Sequence, residues 1–233
     1  ESWKKEKFPA DFVVEYVAQT RTWFYYMHTI STILFGRAPF KNVVTTGTLL
    51  ASDGQKMSKS KGNFPDPWIL FDKYGVDPLR LYLMTSPLMK GEDANFDEKA
   101  VDRIYKSVCQ RTLNVLQFYN LYRDSSVEGT EFDAHSLENV LDKWAVALLH
   151  KFKTDVQTGM ENYDLVEATR PIEKFVDDFS TWYLRRSRER MKDGDKFAKV
   201  TMFHVLREFS KIIAPIMPFL SEIVWQELKN EED

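Results

Sequence analysis

The chain has 233 residues, 43% apolar, 14% aromatic and 29% charged, enough to bury a sizeable core; nine glycines and nine prolines exclude a collagen-like or low-complexity chain. One cysteine, Cys109, excludes an internal disulfide framework and a cysteine-based zinc site, and a net charge of −3 means that any nucleic-acid contact must come from a local basic patch. No apolar run reaches the ~18–20 residues of a membrane span and the lysine-rich start is not followed by an apolar stretch, so a cytoplasmic setting with no membrane partner is expected.

Residues 1–90 mix aromatics, β-branched runs and turn signals, whereas residues 97–233 read almost wholly as helix. Gln19, Trp23, Tyr26 and Ile30 recur at three or four, which predicts one helix over Val13–Leu34 with these residues on one face, stopped at Gly36. Asn42–Thr46 is short and β-branched and reads as a buried strand; with no second strand legible, the rest of its sheet is expected outside the chain. A polar loop follows, from Ala51 to Asn63, with an Asp53-Gly54 turn and lysines at 56, 59 and 61. Asp66-Pro67 opens a helix through Tyr74, as an N-cap followed by an N1 proline, and Asp77-Pro78 opens another to about Thr85.

Amphipathic stretches at about 97–122, 136–161, 164–190, 196–214 and 217–228 predict a helix bundle. The small, acidic, polar segment 124–136 marks a boundary inside it. Pro171 is expected to kink the third stretch or mark its true start, and Pro215 and Pro218 to divide the last two. Trp144, Trp225 and Cys109 are expected in the core.

The lysine loop is the sharpest chemical feature. Compact ammonium charges among small polar residues can follow and stabilise a polyphosphate, although a charge run is just as often a solvated loop. Lys56-Met57-Ser58-Lys59-Ser60, followed by Lys61-Gly62-Asn63, Asp66-Pro67, Lys73-Tyr74-Gly75, Asp77 and Leu79-Arg80, resembles the KMSKS segment of class I aminoacyl-tRNA synthetases. The resemblance implies a Rossmann-like ATP-binding fold whose loop closes on the ATP phosphates. It assigns Lys56 and Lys59 as catalytic phosphate ligands, with Met57 and Ser58 completing the ATP contacts and Met57 near the adenine.

Gln19-Thr20-Arg21-Thr22-Trp23-Phe24 resembles the isoleucyl branch of that family, with Glu15, Gln19 and Trp23 then holding the amino acid or adenylate. Tyr16 and Ala18 depart from it, standing where the family usually has glycine and aspartate. Without the resemblance Trp23 reads as a core residue.

Residues 172–190 put Ile172, Phe175, Val176, Phe179 and Tyr183 on one apolar stripe that Arg186 and Arg190 continue. Arg185, Arg186, Arg188, Arg190 and Lys192 against Glu189 make a local basic patch, which suits phosphates; last-turn cations also complement a helix dipole, and Asp177 or Asp178 could pair with some of them. This block and Ile213–Glu222 resemble the isoleucyl anticodon-binding bundle, implying tRNA contacts from those four arginines.

The expected architecture is mainly α. Residues 1–90 would be the C-terminal remnant of a Rossmann-like α/β catalytic fold, 91–135 connecting helices, and 136–233 an anticodon-binding helix bundle. The resemblance further implies ATP with Mg²⁺, isoleucine and tRNA-Ile as partners, and no metal held by this segment. The family's His-Ile-Gly-His string and editing insertion do not occur here, so missing parts of the same polypeptide are expected to complete the enzyme, and this segment alone to be inactive. A valyl or leucyl relative, or a non-catalytic tRNA-binding helical module, are the alternatives.

Overall fold

The computed structural model describes residues 8–229 except Lys59, Lys61, Phe64 and residues 125–131. Strands β1 (Ala10–Tyr16) and β2 (Phe40–Thr46) pair in parallel, with Val13 opposite Val43 and Tyr16 opposite Thr46. A parallel pair needs a crossover, which helix α1 (Trp23–Phe35) supplies. Two expectations are corrected here. The expected helix over Val13–Leu34 forms only from Trp23, because Val13–Tyr16 joins the sheet as part of β1, and β2 has its partner within the chain.

A single 3₁₀ turn, Val17–Arg21, separates strand from helix. The Gln19 side-chain oxygen accepts the Trp23 N–H at 3.2 Å and the Thr22 hydroxyl, satisfying a donor that an uninterrupted helix would have used. Gln19 and Trp23 therefore do not share a helix face. Gly36 ends α1 in the left-handed conformation, φ +66°, its N–H bonded to Thr32 O at 2.9 Å.

Strands β3 (Leu49–Leu50) and β4 (Ala94–Asn95) form a second small parallel pair. Between them lie the lysine loop and helices α2 (Pro67–Tyr74) and α3 (Val76–Thr85). Asp66 caps α2 by accepting the Trp68 N–H at 2.9 Å, as its sequence predicts.

Helix α4 (Glu98–Ile104) continues through a π-helical segment, Tyr105–Gln110, into α5 (Arg111–Leu121). Helix α6 (Val140–Glu161) starts four residues later than expected because Asn139 caps it, accepting the Leu141 N–H at 2.9 Å. After α7 (Leu165–Thr169), Pro171 is the first residue of α8 (Pro171–Asp178), so it marks a true start. A second π-helical segment, Phe179–Leu184, leads into α9 (Arg185–Lys192). Helices α10 (Lys196–Ile213) and α11 (Pro218–Leu228) complete the bundle.

Stacked aromatics run through the bundle core: Phe152 on Phe175 at 4.5 Å, Phe175 on Phe209 at 5.1 Å and Phe179 on Tyr183 at 5.2 Å. Cys109 is buried there, and burial pushes its thiol up to about 12. Trp144 is half-buried against the core, and Trp225, also half-buried, lies under the Arg207 guanidinium at 5.2 Å.

Helix α3 fastens the two halves together. Asp77, 4% exposed, accepts the Leu220 N–H at 2.6 Å and so caps α11 across 143 residues. One turn on, Arg80 donates to the carbonyls of Ile216 at 3.0 Å and Pro215 at 3.1 Å. Burial raises the Asp77 carboxyl above its ordinary 3.8, with the Leu220 hydrogen bond opposing. A raised carboxyl keeps its proton longer in the folded state, so stability falls as pH rises from about 4 through the raised value. Asp77→Asn, which keeps the accepting oxygen, should flatten that decline in urea unfolding, whereas Asp77→Ala should lose about 1–2 kcal/mol at every pH.

Candidate functional site

The C-terminal ends of β1 and β2 face one edge, the place where open α/β sheets take ligands. Glu15 lies exposed at the penultimate position of β1, Gln19 on the 3₁₀ turn, and Trp23, 41% exposed, at the start of α1. Trp23 is therefore not core. Gln19 has its oxygen engaged as a helix cap, which leaves its amide NH₂ for a ligand. Tyr16 extends from the same edge, its hydroxyl 3.0 Å from the Thr48 hydroxyl.

Thr48 links this edge to the lysine loop. Its N–H donates to Asp93 at 2.8 Å, and hydrogen bonds from Thr48, with the Lys56 charge adding less, hold the Asp93 carboxyl below its ordinary value. The approach requires Gly47: a Cβ there would lie 1.9 Å from the Glu92 carbonyl oxygen.

The loop itself is anchored. Lys56 makes an antiparallel bridge to Leu50, and Gln55 O accepts the Ala51 N–H at 2.8 Å. Lys56 is exposed, whereas Met57 turns inward, half-buried against the cluster of Leu70, Tyr74, Phe96 and Val101. Ser58 is half-buried, its hydroxyl 2.8 Å from that of Ser60. The alternation gives Lys56 a fixed base and an exposed side chain. Lys59 lies outside the described residues. A cleft of about 400 Å³ opens beside the loop, lined by Met57, Asn63, Phe96 and Lys99 among others.

The arginine run divides. Arg185, Arg186 and Arg188 are exposed and pair with no acid among the described residues. Arg186 lies 3.7 Å over the ring of Trp182, itself 46% exposed, and Arg188 lies 5.4 Å from the Phe118 ring. Arg190 is different. Its side chain is 20% exposed, and it donates to both oxygens of the fully buried Asp142, at 3.0 and 2.6 Å, and to Asp195 at 2.8 Å. Tyr183 donates its hydroxyl to the same Asp142 at 2.8 Å, and burial beside that carboxylate raises its pKa well above the ordinary value.

The anions that Arg190 meets are thus within the protein, unlike the exposed Arg185, Arg186 and Arg188 with which the sequence groups it. Nor do Asp177 and Asp178 serve the run: they pair with Arg111 and Lys174. Asp142 was missed, yet it stands in the apolar stripe of Ala145, Val146, Leu149 and Phe152, and a lone acid in such a stripe signals a buried partner.

Comparison with known proteins fits this layout. Residues 1–97 match the family model "tRNA synthetases class I (I, L, M and V)", and residues 142–233 match "Anticodon-binding domain of tRNA ligase". The chain belongs to the class I aminoacyl-tRNA synthetases. It is 40% identical to an isoleucine–tRNA ligase of Chlamydia trachomatis over 97% of its length, and 39% identical, again over 97%, to the cytoplasmic isoleucine–tRNA ligase of Mus musculus. It spans 22% and 19% of those relatives.

Among solved structures, a LeuRS of Agrobacterium radiobacter in a ternary complex with tRNA and LeuAMS shares the fold at TM-score 0.71 and 20% identity, over 96% of this chain and 27% of that one. A methionyl-tRNA synthetase of Mycobacterium tuberculosis bound to methionyl-adenylate does so at 0.68 and 23%, over 96% and 45%. None of the helices among the described residues is long and apolar enough to cross a membrane.

The division of the arginines is measurable. Asp142→Ala should cost about 3–5 kcal/mol in urea unfolding because it takes the buried carboxylate from both Tyr183 and Arg190 and leaves Arg190 only Asp195, while Arg186→Ala should stay within about 0.5 kcal/mol of the parent.

Proposed function

We propose that this chain is the part of an isoleucine–tRNA ligase that holds the ATP phosphates with one half and tRNA-Ile with the other. The observation that carries the reading is an exposed lysine on an anchored loop, joined through α3 to a bundle whose exposed Arg185, Arg186 and Arg188 pair with no acid among the described residues. The parent enzyme joins isoleucine to ATP, releasing pyrophosphate, and passes the isoleucyl group to tRNA.

In this scheme Lys56 and Lys59 meet the charge that develops on the leaving pyrophosphate, and Ser58 supports the loop beside them. Several kcal/mol of transition-state stabilisation from well-placed donors of this kind is usual. Mg²⁺ would arrive on the nucleotide as part of the substrate, since residues 56–63 offer cations and no carboxylate. Glu15, the Gln19 amide and Trp23 line the adenylate edge, with Trp23 a flat apolar wall for a branched side chain. Met57 contributes by anchoring the loop; its inward packing argues against a direct adenine contact.

Arg185, Arg186 and Arg188 take tRNA phosphates, with Trp182 exposed beside them. Residues 1–90 serve as the catalytic remnant, 91–135 as the connection and 136–233 as the RNA-binding unit, in a cytoplasmic enzyme. The chain alone binds phosphates weakly and does not catalyse, because the rest of the catalytic fold is needed to cover α1, where Tyr26, Ile30, Ile33 and Leu34 are exposed.

Binding of tRNA-Ile, tRNA-Val and tRNA-Leu, titrated against salt, tests the reading. A preference for tRNA-Ile is expected, and Arg186→Ala should lower the slope of log K against log salt by about 0.7–0.9, one phosphate's worth. Equal affinity for all three would remove the isoleucyl assignment, and an unchanged slope would remove Arg186 from the interface.

A further inference from the structure

We infer that Asn63 is a positioning residue for the lysine loop, acting through Lys56; this rests on the reading that the loop holds a polyphosphate. The Asn63 side chain straddles Met57. Its oxygen accepts the Ser58 N–H at 2.8 Å, and its NH₂ donates to the Lys56 carbonyl at 3.2 Å. A carboxamide is suited to this because it carries an acceptor and a donor on one planar group, and here each meets its complement. Gly62, at φ +63° with no atom within 4 Å of the place a Cβ would occupy, turns the chain so that Asn63 comes back over the loop.

Three constraints then converge on Lys56. The bridge to Leu50 holds its backbone from one side, the packed Met57 side chain holds the next residue from below, and Asn63 ties the two peptide groups that flank Met57. The ammonium stays exposed. A lysine stem has four rotatable bonds, so a fixed backbone is what confines its charge to one region of space. Asn63 touches no reacting atom in this scheme. Its part is to set where the Lys56 stem begins.

The test is a double-mutant cycle on the whole chain, with inorganic pyrophosphate as the probe. Affinity is measured for the parent, Lys56→Ala, Asn63→Ala and the double variant, with unfolding midpoints and the exchange rate of the Ser58 amide followed alongside. Asn63→Ala should weaken pyrophosphate about three- to tenfold, speed Ser58 amide exchange and leave the unfolding midpoint unchanged. It should have no further effect once Lys56 is alanine, because the two act as one unit. Losses that simply add, or an Asn63→Ala chain that binds like the parent while Lys56→Ala does not, overturn the inference and leave the loop's phosphate role standing. Pyrophosphate binding that is undetectable in the parent, or unaffected by Lys56→Ala, overturns the loop reading and this inference with it.

Discussion

The arrangement of the molecule depends on one short stretch of α3. Asp77 supplies an anion to the N-terminus of α11, and Arg80 supplies a cation to the carbonyls of Pro215 and Ile216 just before it. Each charge meets the sign that a helix end offers. The two prolines, Pro215 and Pro218, make this possible, because they break the chain between α10 and α11 and leave backbone groups that no helix satisfies. A helix that follows the lysine loop is thereby bonded to the far end of the helix bundle. Lys90 paired with Asp164, and the Phe12 ring 5.5 Å from that of Tyr163, repeat the connection on another side. The two halves are held by specific polar contacts as well as by apolar burial.

The bundle has its own polar centre. Asp142 is fully buried and shared by Tyr183 and Arg190, which joins α6 to the helix that carries the arginine run. A buried pair of this kind adds little net stability over an apolar core, but it is costly to leave half-made. It therefore fixes the rotation of α9 about its own axis. With Arg190 held inward, Arg185, Arg186 and Arg188 are left on the solvent side, so the internal pair sets the geometry of the external face.

Much of this was legible in residue order. The capping Asp66 followed by proline announced α2, whereas Asp77-Pro78, read the same way, lies inside the first turn of α3 and Asp77 caps α11 instead; apolar spacing announced the bundle and its divisions at Pro171, Pro215 and Pro218. The first forty residues misled because Gln19, Trp23, Tyr26 and Ile30 fit a helical period while Phe12-Val13-Val14 fit a strand, and only the pairing with β2 chooses between them. The lysine loop stood out by its charges, but its anchoring did not. Asn63 and Met57 act through contacts with residues that the chain reaches only by turning at Gly62 and by packing Leu70 and Tyr74 of α2 with Phe96 and Val101. The Asp77 cap is likewise invisible locally, since its partner lies 143 residues away.

The division within the arginine run shows why charge patterning alone overcounts a binding site. All four arginines lie on a single helical segment, and a count of charges treats them alike. What separates them is the identity of the nearest anion. Arg190 enters the protein, where the Asp142 carboxylate has already been taken out of water, and its charge is spent on that group. Arg186 lies flat on an exposed indole, an arrangement that orders the guanidinium while leaving its N–H edge toward solvent. A phosphate arriving at the surface competes with water for Arg186 but with a buried carboxylate for Arg190. The first exchange costs little and the second would break the core, so the run offers an incoming anion only the arginines that the fold itself does not use.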